Sequence, residues 1–91
     1  MKTIWKIPLA PFVRQIISMP LGAEILSVRE QHDTICMWYR CDPLNHLETR
    51  TFVVHPTGGF EDCSDGRYIG TASLDDGNLI FHVFEIEGFK Q

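Results

Sequence analysis

Nowhere in the chain do apolar residues run for the ~20 positions that a helix needs to cross a bilayer. Met1-Lys2 leads straight into Trp5 and Ile7, without the apolar stretch and small-residue cleavage site of a signal peptide. The expectation is a protein with no membrane partner that works in the cytoplasm. Basic residues are scarce: eight Lys and Arg against twelve Asp and Glu leave a net charge of −4. Phosphate-backbone binding draws on clustered cations and counterion release, so this balance argues against nucleic acid as a partner. There are only three cysteines, Cys36, Cys41 and Cys63. An odd count speaks against a disulfide framework. No Cys-x-x-Cys or His-x-x-x-His spacing accompanies His55 or His82, so no metal and no other cofactor is expected. Missing too is any stretch of 3.6-residue apolar spacing, which leaves almost no helix to expect.

What is present suits a small β domain. With 91 residues, 44% of them apolar, the chain has room for one domain, residues 1–91, and one core. It is organised around Met19 to Val28, where Pro20-Leu21-Gly22 supplies a type II-like corner between two extended segments. Before it, Thr3 to Leu9 and Phe12 to Ser18 read as short strands separated by a tight corner at Ala10-Pro11. After it, Ala23 to Gln31 reads as a strand with Leu26 and Val28 on one face, Ile25 and Ser27 on the other. Thr34 to Asp42 is apolar on both faces and reads as a central strand, with Trp38 and Tyr39 in the core. Asp42-Pro43-Leu44-Asn45-His46 has turn chemistry, with a short helical turn toward Leu47, and predicts a hairpin with the alternating run Leu47 to His55. A long loop to Gly66 then delivers Arg67 to Ser73, in which Gly70 suggests a bulge or a close backbone approach. Asp75-Asp76-Gly77-Asn78 is a hairpin turn into the last strand, Leu79 to Ile86, and the tail from Glu87 reads as loosely held. The fold class is therefore all-β: a small antiparallel sandwich or partly open barrel of six to seven short strands. Its exposed edges, and a surplus of apolar residues at Ile4, Trp5, Phe12 and Phe89, make a homodimer the expected oligomer.

Several motifs together carry a resemblance. Lys2-Thr-Ile-Trp-Lys-Ile-Pro-Leu9 is followed by Gln15-x-Ile17-x-Met-Pro-x-Gly-Ala-x-Ile-Leu-x-Val28, Trp38, Asp42-Pro43 and Glu48-x-Arg50. Tyr68-Ile-Gly-Thr71 and Phe81-His-Val-Phe84 complete the set. The whole is similar to an uncharacterised family of small bacteriophage and prophage proteins, over nearly the full chain. The resemblance implies viral origin and action inside an infected bacterium, and brings no catalytic residues with it. That family often has Gly-Thr-Gly in the loop where this chain has Thr57-Gly58-Gly59.

Among candidate site residues, His55-Pro56-Thr57-Gly58-Gly59 stands out, because consecutive glycine amides and a threonine hydroxyl can cradle an anionic group at a strand end. The plainer reading is a flexible loop. Arg40 and Arg50, placed on the two strands of the expected hairpin, could clamp a phosphate or carboxylate, or could pair with Glu48 or Asp42. Tyr68, Trp38 and Phe60 could stack a base or fill the core. A hydrolase would need Ser64, Thr71 or Cys63 brought beside His55 or His82, and His82, mid-strand between apolar neighbours, reads as a packing residue. His55 and Thr57 resemble half of a phosphoesterase-like motif, and no second copy occurs.

No enzymatic activity is expected. The first functional reading is a protein that binds and sequesters a small anionic host-derived molecule, such as a nucleotide immune signal, at Arg40, Arg50, His55, Thr57, Gly58, Gly59 and Tyr68. The second is an interaction module that inhibits a host protein through its acidic loops, where Glu61-Asp62, Asp65 and Asp75-Asp76 would steer a basic partner.

Overall fold

In the computed structural model, which describes residues 1–87, seven strands account for nearly all the regular structure. They are β1 Thr3–Leu9, β2 Arg14–Pro20, β3 Glu24–Gln31, β4 Thr34–Cys41, β5 Leu47–Pro56, β6 Arg67–Leu74 and β7 Leu79–Ile86. All pairings are antiparallel. One sheet has the order β1-β4-β3 and the other β2-β5-β7-β6. Among the described residues there is no helix, and so none long and apolar enough to cross a membrane. The sequence readings of Glu87 onward as loose tail and of Phe89 as surplus fall, from residue 88, outside the described residues.

The two sheets face each other across one apolar layer. β4 supplies Ile35, Met37, Tyr39 and Cys41 on its inner face, against Ile17 and Met19 of β2, Phe52 and Val54 of β5, and Phe81 and Val83 of β7. Each fully buried side chain of this size contributes roughly 1.5–3 kcal/mol. The shortest extent, 15 Å, fits two sheets stacked about 10 Å apart. The sheets do not close into a barrel. On one flank β3 and β6 lie close: a Cβ added at Gly70 would stand 3.0 Å from the Val28 Cβ. On the other flank β1 keeps a free edge, which Lys6 and Pro8 make a poor template for a further strand.

The Pro20-Leu21-Gly22 corner forms as its residues dictate. The Ala23 amide donates to the Pro20 carbonyl at 3.1 Å, and Gly22 takes the positive φ of 81° that the third turn position requires. His32 and Asp33, both at positive φ, make the two-residue hairpin between β3 and β4. Gly70 marks a bulge against β7, with Ile69 the extra residue.

Four sequence readings are corrected. β4 and β5 do not form a hairpin: β4 uses both edges on β1 and β3, β5 uses both on β2 and β7, and the connector 42–46 crosses between sheets. That connector is a turn, with the Asn45 amide on the Asp42 carbonyl at 3.0 Å, and not a helical turn. A second bulge, at Leu26, puts Ile25 and Val28 on the same inner face, opposite Tyr39 and Met37. Trp38 faces outward instead of into the core, with the Arg29 guanidinium 5.4 Å above its ring.

Candidate functional site

Of the seven residues marked in the sequence, four meet at one end of the sandwich. His55 closes β5 just ahead of Pro56, and Thr57, Gly58 and Gly59 begin the long loop that follows. Together with Phe12 and Phe60 they line a cleft of about 480 Å³. Phe12 reaches it because its amide donates to the Val54 carbonyl at 3.2 Å and its ring meets buried Phe81 edge-on, centroids 5.2 Å apart. Even so, 60% of Phe12 stays exposed, and Phe60 is fully exposed. Glu61 and the free thiol of Cys63 stand at the same cleft.

The loop is not an open amide cradle. The Thr57 amide donates to the Ile80 carbonyl at 3.0 Å and the Gly59 amide to the Pro56 carbonyl at 3.3 Å. Among the described residues, only the Gly58 amide of the three has no such bond. An anion nest needs consecutive free N–H groups, and this loop offers one.

Behind Thr57 runs a hydrogen-bonded chain that sequence reasoning missed. Thr57 Oγ1 meets His82 Nε2 at 2.7 Å, His82 Nδ1 meets Thr71 Oγ1 at 3.1 Å, and Thr71 Oγ1 meets the Tyr68 hydroxyl at 2.6 Å. Register builds it: on the outer face His82 lies opposite His55 on β5 and opposite Thr71 on β6. Phe84 packs edge-on with both His55 and Tyr68. Tyr68 thereby joins the cleft residues through three hydrogen bonds.

Arg40 and Arg50 stand apart from this end and from each other's sheet. Arg50 lies six residues before Pro56 on β5, roughly 20 Å away at the rise of an extended strand. Its guanidinium grips Glu85 with two hydrogen bonds, 2.7 and 3.0 Å, and donates to the Ala23 carbonyl at 2.6 Å. Arg67 adds a bond to the same carboxylate at 2.8 Å. Burial pushes the Glu85 carboxyl up, and the two guanidiniums more than offset this, holding it below the usual carboxylate range. Arg50 is raised in turn, first by its hydrogen bond to Glu85. Arg40 pairs with Glu24 at 2.6 Å, which holds that carboxyl down. Arg50, Arg67 and Tyr68 border a second cleft of about 410 Å³, but Arg50 already commits three of its five N–H donors to protein acceptors. Among the described residues no group of three or more His, Cys, Asp or Glu side chains is placed to hold a metal ion.

Fold and site define a seven-stranded antiparallel sandwich whose end cleft is lined by two exposed phenylalanines and backed by a hydroxyl–imidazole chain. The chain belongs to the family described as a domain of unknown function, DUF7352, which it matches over residues 1–91. No curated protein and no solved structure matches it.

Proposed function

We propose that this is a phage-encoded, non-enzymatic binding protein acting in the cytoplasm of the infected bacterium. It holds a small host-derived molecule by a planar heteroaromatic ring, and a nucleotide-type immune signal suits that chemistry. The motif resemblance supports the phage origin. The carrying observation is the end cleft, where exposed Phe12 and Phe60 stand with His55, Thr57, Gly58 and Gly59 around about 480 Å³. Ligand sites fall in this size range and combine aromatic walls with a few placed polar groups. Aromatic stacking is worth about 1–3 kcal/mol per base and needs no counter-charge. Among the described residues no lysine or arginine lines the cleft and Glu61 does, so the ring supplies the affinity and any phosphate faces solvent.

A hydrolytic reading finds less support. The Thr57–His82 pair is followed by a hydroxyl, Thr71, where a carboxylate would normally orient the imidazole, and two of the three nearby amides are already bonded. The second reading, docking on a host protein, is favoured by the full exposure of Phe60, since a protruding aromatic side chain can anchor in a partner's pocket.

Thermal melting with nucleobases, nucleosides and linear or cyclic nucleotides at millimolar concentration tests the choice. Ligand bound only by the folded state raises the melting temperature through RT ln(1 + [L]/Kd). Nucleosides should do so at least as well as their nucleotides, and Phe60→Ala should abolish the shift without altering the unliganded melt. No shift with any ring, together with a host protein retained in native mass spectra of infected-cell lysate, would replace this reading by the second.

A further inference from the structure

The chain from Tyr68 to Thr57 can run in either of two directions, and each would suit the cleft to a different ligand. Neutral imidazole has one N–H, so His82 donates through one ring nitrogen and accepts through the other. Two arrangements satisfy all three bonds. In one, Tyr68 donates to Thr71, Thr71 donates to His82 Nδ1, and His82 Nε2–H donates to Thr57 Oγ1, which leaves the Thr57 proton free to donate into the cleft. In the other every bond is reversed, and Thr57 presents only lone pairs.

The residue at the far end decides between them. Tyr68 is a phenol, whose ring draws electron density from the oxygen and makes it a better donor and poorer acceptor than an aliphatic hydroxyl. Its 2.6 Å contact with Thr71 is the shortest of the three bonds, and each bond made in the same sense polarises the next. Both features favour the forward arrangement. At its end the Thr57 hydroxyl stands beside the Gly58 amide, which carries no hydrogen bond among the described residues. Two adjacent donors are left at the head of the loop, in a cleft that no described lysine or arginine lines.

We propose that Tyr68, Thr71 and His82 act as positioning residues that fix Thr57 as a donor, so that the cleft selects planar rings bearing a hydrogen-bond acceptor, a ring nitrogen or carbonyl oxygen, over rings that can only donate. This deepens the ring-binding reading above and rests on it. Each member has a separate part. Tyr68 supplies the polarity, Thr71 and His82 carry it across the outer face, and Thr57 delivers it. None of the first three touches the ligand.

Two bicyclic probes of similar size separate the possibilities: quinoline, which can only accept, and indole, which can only donate. Each is titrated at neutral pH into the ¹⁵N-labelled protein, following the Thr57, Gly58 and Gly59 amide resonances. Quinoline should bind roughly threefold to tenfold more tightly, the value of one neutral hydrogen bond. Thr57→Ser should keep that preference and Thr57→Val should lose it. Tyr68→Phe should shrink it while leaving indole affinity unchanged, a change of ratio that a purely structural role for Tyr68 would not produce. Equal affinities in the wild type, or a preference for indole, would overturn the directed chain and leave the cleft standing. Failure of both probes to shift the loop resonances would remove the cleft as a ring site and the chain's role with it.

Discussion

Arg50 and Glu85 face each other across the β5–β7 half of the inner layer, joined by two parallel hydrogen bonds of 2.7 and 3.0 Å with only 14% and 8% of their side chains exposed. Taking either charge alone out of such a pair strands the other away from water. Arg50→Met is expected to destabilise the protein by about 2–4 kcal/mol, the lower end reflecting the Arg67 contact that remains. Glu85→Leu combined with Arg50→Met should recover most of that loss. Urea denaturation of the two variants checks this, and a single variant within 1 kcal/mol of wild type would show that the pair is not isolated from solvent.

The same pair sets a pH dependence. The Glu85 carboxyl titrates below its ordinary value of 4.5 in the folded protein, so on acidification the unfolded chain takes up this proton first. Stability from this group is therefore complete above that value and is lost as pH falls through the lower folded one, with a slope of at most about 1.4 kcal/mol per pH unit. The difference in unfolding free energy between wild type and Glu85→Gln should be constant from pH 7 to about 5.5 and shrink below about 4.5. A difference that grows on acidification would reverse the assignment.

Gly22→Val should cost more than ~1 kcal/mol, because φ is 81° and no atom lies within 4 Å of the added Cβ, so the penalty is backbone strain alone. Gly22→Asn should cost less, since asparagine tolerates this conformation. Equal melting temperatures for the two variants would contradict the strain argument.

Gly70→Ala fails for a different reason. Its Cβ would press at 3.0 Å on the Val28 Cβ, where β3 and β6 close the flank, an overpacking worth about 1–3 kcal/mol. Val28→Gly, which alone removes the opposing Cβ, should offset part of it, giving a favourable coupling in a double-mutant cycle. Strictly additive effects would mean that the flank can open.

The strands were legible because turn chemistry and two-residue alternation are local. Pro20-Leu21-Gly22 and Asp75-Asp76-Gly77 declare turns through residues that adopt positive φ, and Gly70 marks a bulge where β6 comes close to Val28. Pairing is another matter. Alternation in Leu47 to His55 tells which residues share a face but not which strand lies alongside, and the turn residues of 42–46 serve a crossover as well as a hairpin. The Leu26 bulge carries no glycine to announce it. At the site, the loop from His55 to Gly59 was legible from composition. The link of His82 and Thr71 to Thr57 was not legible, because it exists only once β5, β7 and β6 are in register. Phe12 was likewise invisible as a cleft residue until its contact with Phe81 formed. The pairing of Arg40 and Arg50 was not legible because their acidic partners, Glu24 and Glu85, are distant in sequence.

β2 stands in one sheet while its chain neighbours β1 and β3 stand in the other. As the polypeptide leaves the ribosome, β1, β3 and β4 can pair as soon as Cys41 has emerged, whereas β2 must wait for β5, encoded beyond the 42–46 connector. Severed at that connector, the chain would become two pieces: one with a finished three-stranded layer and an orphan strand, the other with three strands short of a fourth. Each piece is the missing template of the other, which is the architecture of a split reporter that regains its form only when its halves are brought together.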